Sequence, residues 1–197
     1  MALPEPNLHV IPYFSPESET TTYIVSRRGG SLAVLIDPVH VNRDFLHILL
    51  QHELTVHTVC ITHPESYMNH ALRTLQKIFD VRVIAGSTEL PVMSPVHVLE
   101  GDETIDCCEF AMRAIPVLPH SRSSYVYHIE SLVFTGSIVH AGTLGDTANA
   151  FSEALLVATV KDYLFTLPED TLMLPSVGPP STLKAEQTLS PYYREES

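Results

Sequence analysis

Along the first third of the chain, hydrophobic and polar positions alternate in short runs bounded by turn residues, which is a strand pattern. Residues 8–14 and 22–26 read as two strands, and Arg27-Arg28-Gly29-Gly30 supplies a turn into a third at 32–36, so that strands two and three form a hairpin. After Asp37-Pro38 the period lengthens. Asn42 caps a helix with Phe45, Leu46, Leu49 and Leu50 on one face, a buried strand covers 56–62, and a helix starting at Asn69 aligns Leu72, Leu75 and Phe79. A short strand follows at 81–85. The second half repeats the theme: strands at 96–99, 109–117, 125–129 and 132–135, a helix over 151–166, a strand at 172–174 and a helix at 181–189. In the longer helix Leu156, Val160, Tyr163, Leu164 and Leu167 make one stripe. This order predicts an α/β protein in which two mixed sheets pack together with helices outside. A single domain over residues 1–197 is expected, with loose tails at 1–7 and 192–197.

Charge narrows the function. With 11 Lys plus Arg against 23 Asp plus Glu, the net charge is −12, which excludes an ordinary nucleic-acid binder because phosphate contacts need a basic surface. Neither a signal peptide nor an apolar stretch long enough for a bilayer is visible, and the three cysteines, Cys60, Cys107 and Cys108, make a poor disulfide framework. A cytoplasmic protein is expected, without nucleic-acid or membrane partners; a protein partner or a homodimer stays open. Cys60, inside an apolar strand, is expected to be an inert buried thiol, and Cys107-Cys108 to be a strand start rather than a redox pair. No Gly-rich phosphate cradle, Gly-x-Ser-x-Gly elbow, Cys-x-x-Cys or His-Glu-x-x-His is present, so no nucleotide or flavin site is expected.

Eleven histidines are many for this length, and the segment Thr62-His63-Pro64-Glu65-Ser66-Tyr67-Met68-Asn69-His70 concentrates the chemistry. In an extended loop, residues two apart point the same way, so His63 and Glu65 can converge on one cation. His120, just after another strand, is a third candidate. Two His and one carboxylate with open positions is the ligand set of catalytic zinc and of non-haem ferrous iron.

Landmarks along nearly the whole chain resemble those of the metallo-β-lactamase fold superfamily, most of all its small glyoxalase-type branch. Thr22-Tyr23-Ile24-Val25 is similar to the early Asn-Thr-Tyr-Leu-Ile strand, Leu35-Ile36-Asp37-Pro38 to the Ile-Asp-Pro-Gly turn, and Ile61-Thr62-His63 to the opening of the Thr-His-x-His-x-Asp-His metal loop. Gly101-Asp102, residues 117–124, Phe134-Thr135-Gly136-Ser137 and Leu174-Pro175-Ser176-Val177-Gly178-Pro179 follow in the family's order, and Glu186 and Ser190-Pro191 resemble its late Glu and Asn-Pro. The resemblance implies an αβ/βα four-layer sandwich of two mixed sheets flanked by helices.

It also implies where metal would sit. The positions of the family's first metal are His63, Glu65 and His120 here. Those of the second metal and the bridging Asp are Tyr67, Met68, Val177 and Ser137, none of them a comparable ligand. His-x-Glu resembles the oxygen-reducing flavodiiron branch, whereas mononuclear persulfide dioxygenases rely on the Asp that is Ser137 here. Three readings stay open: a half-site for one iron, zinc or manganese ion per chain used in sensing, redox chemistry or weak hydrolysis; a metal-free pseudoenzyme acting as a binding module; and a thioester or ester hydrolase with substitute ligands such as His70 or His140. Asp146 stands where the family often has an Arg that anchors substrate or loops. A dinuclear hydrolase needs an oxyanion bridging two ions, and a serine at position 137 does not provide one.

Overall fold

In a computed structural model the chain is described over residues 7–90, 92–93, 95–117, 121 and 123–193. The first half supplies β1 (Leu8–Ser15), β2 (Thr20–Arg27), β3 (Leu32–Ile36), α1 (Arg43–Gln51), β4 (Thr55–Cys60), α2 (Asn69–Ile78), β5 (Arg82–Ala85) and β6 (Val96–Val98). The second half supplies β7 (Glu103–Cys107), β8 (Phe110–Pro116), β9 (Tyr125–Ile129), β10 (Leu132–Gly136), β11 (Val139–His140), β12 (Thr143–Leu144), α3 (Ala150–Thr159), β13 (Leu172–Pro175), β14 (Ser181–Thr182) and α4 (Leu183–Leu189). One six-stranded sheet runs β1-β2-β3-β4-β5-β6, antiparallel up to β3 and parallel thereafter. The other runs β14-β13-β10-β9-β8-β7, and only its β10–β13 pair is parallel. Both sheets are therefore mixed, as expected.

Period-two alternation divides the apolar residues between layers. On β3, Val34 and Ile36 face the second sheet, where they join Tyr127, Met112 and Phe134. Ala33 and Leu35 face the other way, against Phe45 and Leu49 of α1 and Leu72 and Leu75 of α2. The second sheet repeats the scheme, with Ile115, Val126 and Val133 packed under Leu156 of α3 and Leu183 of α4. The result is a helix–sheet–sheet–helix sandwich.

Several elements differ from the sequence pattern. On α1 the Phe45–Leu49 row is buried while Leu50 is 75% exposed, because the next row of the helix rotates out of the contact with the sheet. The long helix of the second half is regular only to Thr159 and continues as a π-helical turn over Val160–Leu164, with Tyr163 exposed. Strand β7 has no counterpart in the pattern. Cys107 ends it rather than starting a strand, and Cys108 turns the chain into β8 with φ +58°. At the chain ends, Asn7 accepts a backbone hydrogen bond from Arg28 N at 3.0 Å, and Tyr193 is buried with its ring edge-on to Phe165. Tyr192 and Tyr193 pack against the α3–α4 layer.

Candidate metal centre

The cavity opens where the strands of the two sheets end, beyond β4, β10 and β13. Asp37, fully buried at the end of β3 with φ +50°, organises that edge. Its Oδ1 accepts from Thr62 N at 2.8 Å, and its Oδ2 accepts from Thr62 Oγ1 and from Ser176 Oγ, both at 2.7 Å. Burial raises the Asp37 carboxyl above the usual carboxylate range, against the downward pull of these three hydrogen bonds, and the charge of Glu65 adds to the rise. Thr62 is held on its remaining side as well, since its carbonyl accepts from Tyr125 N at 2.8 Å. Gly136, with φ +58°, lies so close that a Cβ there would collide with the Thr62 side chain. One carboxylate thus joins the ends of three strands and fixes the backbone from which His63 projects.

The His63 Nδ1 lies 3.0 Å from Ser124 Oγ and 3.1 Å from Ser121 Oγ, and those two hydroxyls are 2.7 Å apart. Its Nε2 lies 3.7 Å from Glu65 Oε1. Burial lowers the His63 pKa, which favours the neutral ring that a metal ligand needs. With Nδ1–H donating to a serine hydroxyl, the Nε2 lone pair is directed at the Glu65 side, the same use of the second ring nitrogen that orients histidine ligands.

His63 and Glu65 line a cavity of about 660 Å³ together with Ser121, Ser137, His140, Thr143, Asp146 and Val177, within the size range of small-ligand sites. The opposite wall is the two-stranded β11–β12 sheet and the turn after it. His140 Nε2 is 3.0 Å from the Ser137 carbonyl, which requires a proton on that nitrogen, and burial lowers the pKa of the ring. Glu186, buried on α4, anchors this wall: its Oε2 accepts from Gly142 N at 2.9 Å and its Oε1 from Ser181 Oγ at 2.5 Å.

The remaining candidates separate cleanly. Met68 is buried among Leu72 and Leu75 under α2, and Tyr67 is 40% exposed, its hydroxyl pKa pushed up to about 12 by burial and by the charges of Glu65 and Asp37. Ser137 and Val177 face the cavity without an ionised group. His70 is exposed in the first turn of α2 and does not line the cavity. His120 lies outside the described residues. Among the described residues, no three His, Cys, Asp or Glu side chains stand close enough to share one ion. The contributions of Asp37, Glu186, Ser121 and Ser124 to holding the walls are not visible in the ligand spacing. The signal for Asp37 was its place in the Ile-Asp-Pro turn, an acidic residue closing an apolar strand.

No protein-family profile matches the chain. An uncharacterized protein of Treponema pallidum is 24% identical over 171 residues, spanning 87% of this chain and 91% of that protein. The "probable metallo-hydrolase YqgX" of Bacillus subtilis is 29% identical over 99 residues, 49% of this chain and only 47% of its own length. Among solved structures, the BLEG-1 B3 metallo-β-lactamase superposes with a TM-score of 0.80 at 20% identity, covering 95% of this chain and all of that one. ETHE1 from Myxococcus xanthus has a TM-score of 0.80 at 24% identity over 93% of this chain and 83% of that one. The chemotaxis sensor ODP, solved as a peroxy diiron species, has a TM-score of 0.66 at 16% identity, covering 84% and 82% of the two chains. With two mixed sheets between flanking helices, superposing on these solved structures over nearly its whole length, the chain has the fold of the metallo-β-lactamase superfamily.

Proposed function

We propose that the cavity holds one metal ion per chain, iron, zinc or manganese, on His63, Glu65 and His120, and that it serves sensing or redox chemistry rather than dinuclear hydrolysis. The observation that carries this reading is the convergence of His63 Nε2 and Glu65 Oε1 at 3.7 Å on the cavity floor. Two donors bound to one tetrahedral ion at about 2.1 Å lie roughly 3.4 Å apart, so a small adjustment would bring both onto the ion. Where it binds, such an ion supplies open coordination positions and, for iron, redox chemistry with oxygen. Around it, His63 is oriented by Ser121 and Ser124, Glu65 neutralises charge, and Thr143 and Asp146 offer polar groups to a ligand from the opposite wall. The chemotaxis sensor ODP, a diiron protein of this fold, lends the sensing reading an example.

Elemental analysis of tag-free protein tests the proposal. About one ion per chain is expected, with uptake abolished in His63→Ala and His120→Ala and kept in Tyr67→Phe. Two ions per chain, or full uptake by both histidine variants, would overturn it. A second reading, a metal-free binding module, is favoured by the lack of a third donor beside His63 and Glu65 among the described residues. It predicts no metal even after reconstitution, and a cavity ligand whose binding survives His63→Ala. A hydrolase built on substitute ligands has less support, since His70 is exposed on α2 and the Nε2 proton of His140 is engaged by Ser137 O.

A further inference from the structure

The three cysteines of the chain, Cys60 and, 47 and 48 residues later, Cys107 and Cys108, border one core. Cys60 ends β4 in the first sheet and Cys107 ends β7 in the second; both are fully buried, in the core between the sheets. They are neighbours there, close enough for each thiol to perturb the ionisation of the other. Cys108, half-buried in the turn after β7, packs against the same core. The pair is chemically unequal. Burial pushes the Cys60 thiol up, whereas Cys107 is held below its usual value by the neighbouring Cys60 thiol and by the charge of Arg82, whose guanidinium donates to the Asp106 carbonyl at 3.3 Å. Burial also pushes Cys108 up, to about 11. Cys107 is thus the better nucleophile of the three, and Cys60 stands in contact to resolve it.

We propose that Cys60 and Cys107 form a peroxide-responsive pair that closes to a disulfide stitching the two sheets together. The Cys107 sulfur attacks hydrogen peroxide, the O–O bond breaks, and the departing hydroxide takes up the thiol proton to leave as water. The Cys60 sulfur then attacks the resulting sulfenic acid; the S–S bond forms, the S–O bond breaks, and the second oxygen leaves as water with the Cys60 proton. The two thiols together give up two electrons, and peroxide is reduced to two waters. Access comes from topology. Strand β7 is the outer strand of its sheet, paired only with β8, so opening of this edge exposes Cys107 without global unfolding. The bond would tie that edge to the strand that leads through Ile61 and Thr62 into His63.

The test uses the full chain, freshly reduced, freed of reductant and chelator-treated, so that its outcome is independent of any metal. Exposure to hydrogen peroxide is expected to remove two hydrogens from the intact mass and to yield, after non-reducing digestion, a linked peptide pair joining Cys60 to Cys107. The half-buried Cys108→Ala variant should keep the link, and Cys107→Ala and Cys60→Ala should lose it. Closing the loop between strands of opposite sheets should also raise the melting temperature by roughly 5 °C, reversibly with dithiothreitol. Three free thiols remaining on folded, peroxide-treated wild-type protein would overturn the proposal, as would a link through Cys108 or sulfinic acid without any link.

Discussion

The two walls of the cavity are built on one plan and end differently. Each hangs on a buried carboxylate: Asp37 clasps Thr62 and Ser176 on the His63 side, and Glu186 clasps Gly142 and Ser181 on the His140 side. The first wall is the continuation of long strands in the middle of the sandwich, whereas the second is a pair of two-residue strands. On the first, the backbone is fixed from every side and the imidazole presents Nε2 to Glu65. On the second, the imidazole spends Nε2–H on its own loop carbonyl. The lesson is that side chains borne on the ends of central strands are held facing the cavity, while those of a two-residue hairpin turn to partners in their own loop.

The comparison breaks most visibly at Asp37. Asp37→Ala orphans three donors in a dry environment and is expected to cost about 3–5 kcal/mol, enough to abolish folding of a marginal domain. Urea denaturation measures it, and a loss no larger than that of Glu186→Ala would deny the first wall its special rigidity. Glu186→Ala is expected to cost about 2 kcal/mol, because the residues it anchors form a small hairpin near solvent, and to leave metal uptake at His63 unchanged. A smaller effect on stability, with a larger one on binding, is expected from Ser121→Ala combined with Ser124→Ala. Freed of its Nδ1 acceptors, His63 should bind metal about 10-fold more weakly, read by competition with a chelator, while the melting temperature barely moves. Equal affinity would show that the serines do not orient the ring.

Acid should act gently on both walls at once. His63, His128 and His140 each have a pKa lowered from 6.5, in every case chiefly by burial. The unfolded chain therefore binds more protons than the folded one as pH falls below 6.5, and stability that is complete above that value is lost as pH drops towards the folded-state pKa values. Denaturation midpoints of chelated protein should decline between about pH 7 and about pH 5, and His128→Gln, away from the cavity, should flatten the slope without touching metal uptake. A slope unchanged by that variant would place the acid sensitivity elsewhere.

Much of this was written in the order of residues. The short apolar runs of β3 and β9, the Asn42 cap and the Leu72–Leu75 row predict their elements at the observed positions, because each is a local pattern within one segment. Strand β7 was missed because Glu103–Cys107 is polar on its outer face and flanks a turn made by Cys108 in a left-handed conformation, which no propensity announces. The resemblance marks Tyr67, Met68, Ser137 and Val177 as the positions where the family's second set of ligands would stand. Where these side chains go was not legible: only packing turns Met68 inward under α2 and leaves Tyr67 at the surface.

By itself, the sequence determined the layers, the helix caps and the pairing of His63 with Glu65, since all of these depend on spacings within one segment. The tertiary structure alone decided which distant groups meet: Asp37 with Thr62 and Ser176, Glu186 with Gly142, and Cys60 with Cys107. The physical reason is that buried polar groups must find partners, and in a two-sheet sandwich the partners within reach across the strand ends and between the sheets come from segments tens of residues apart.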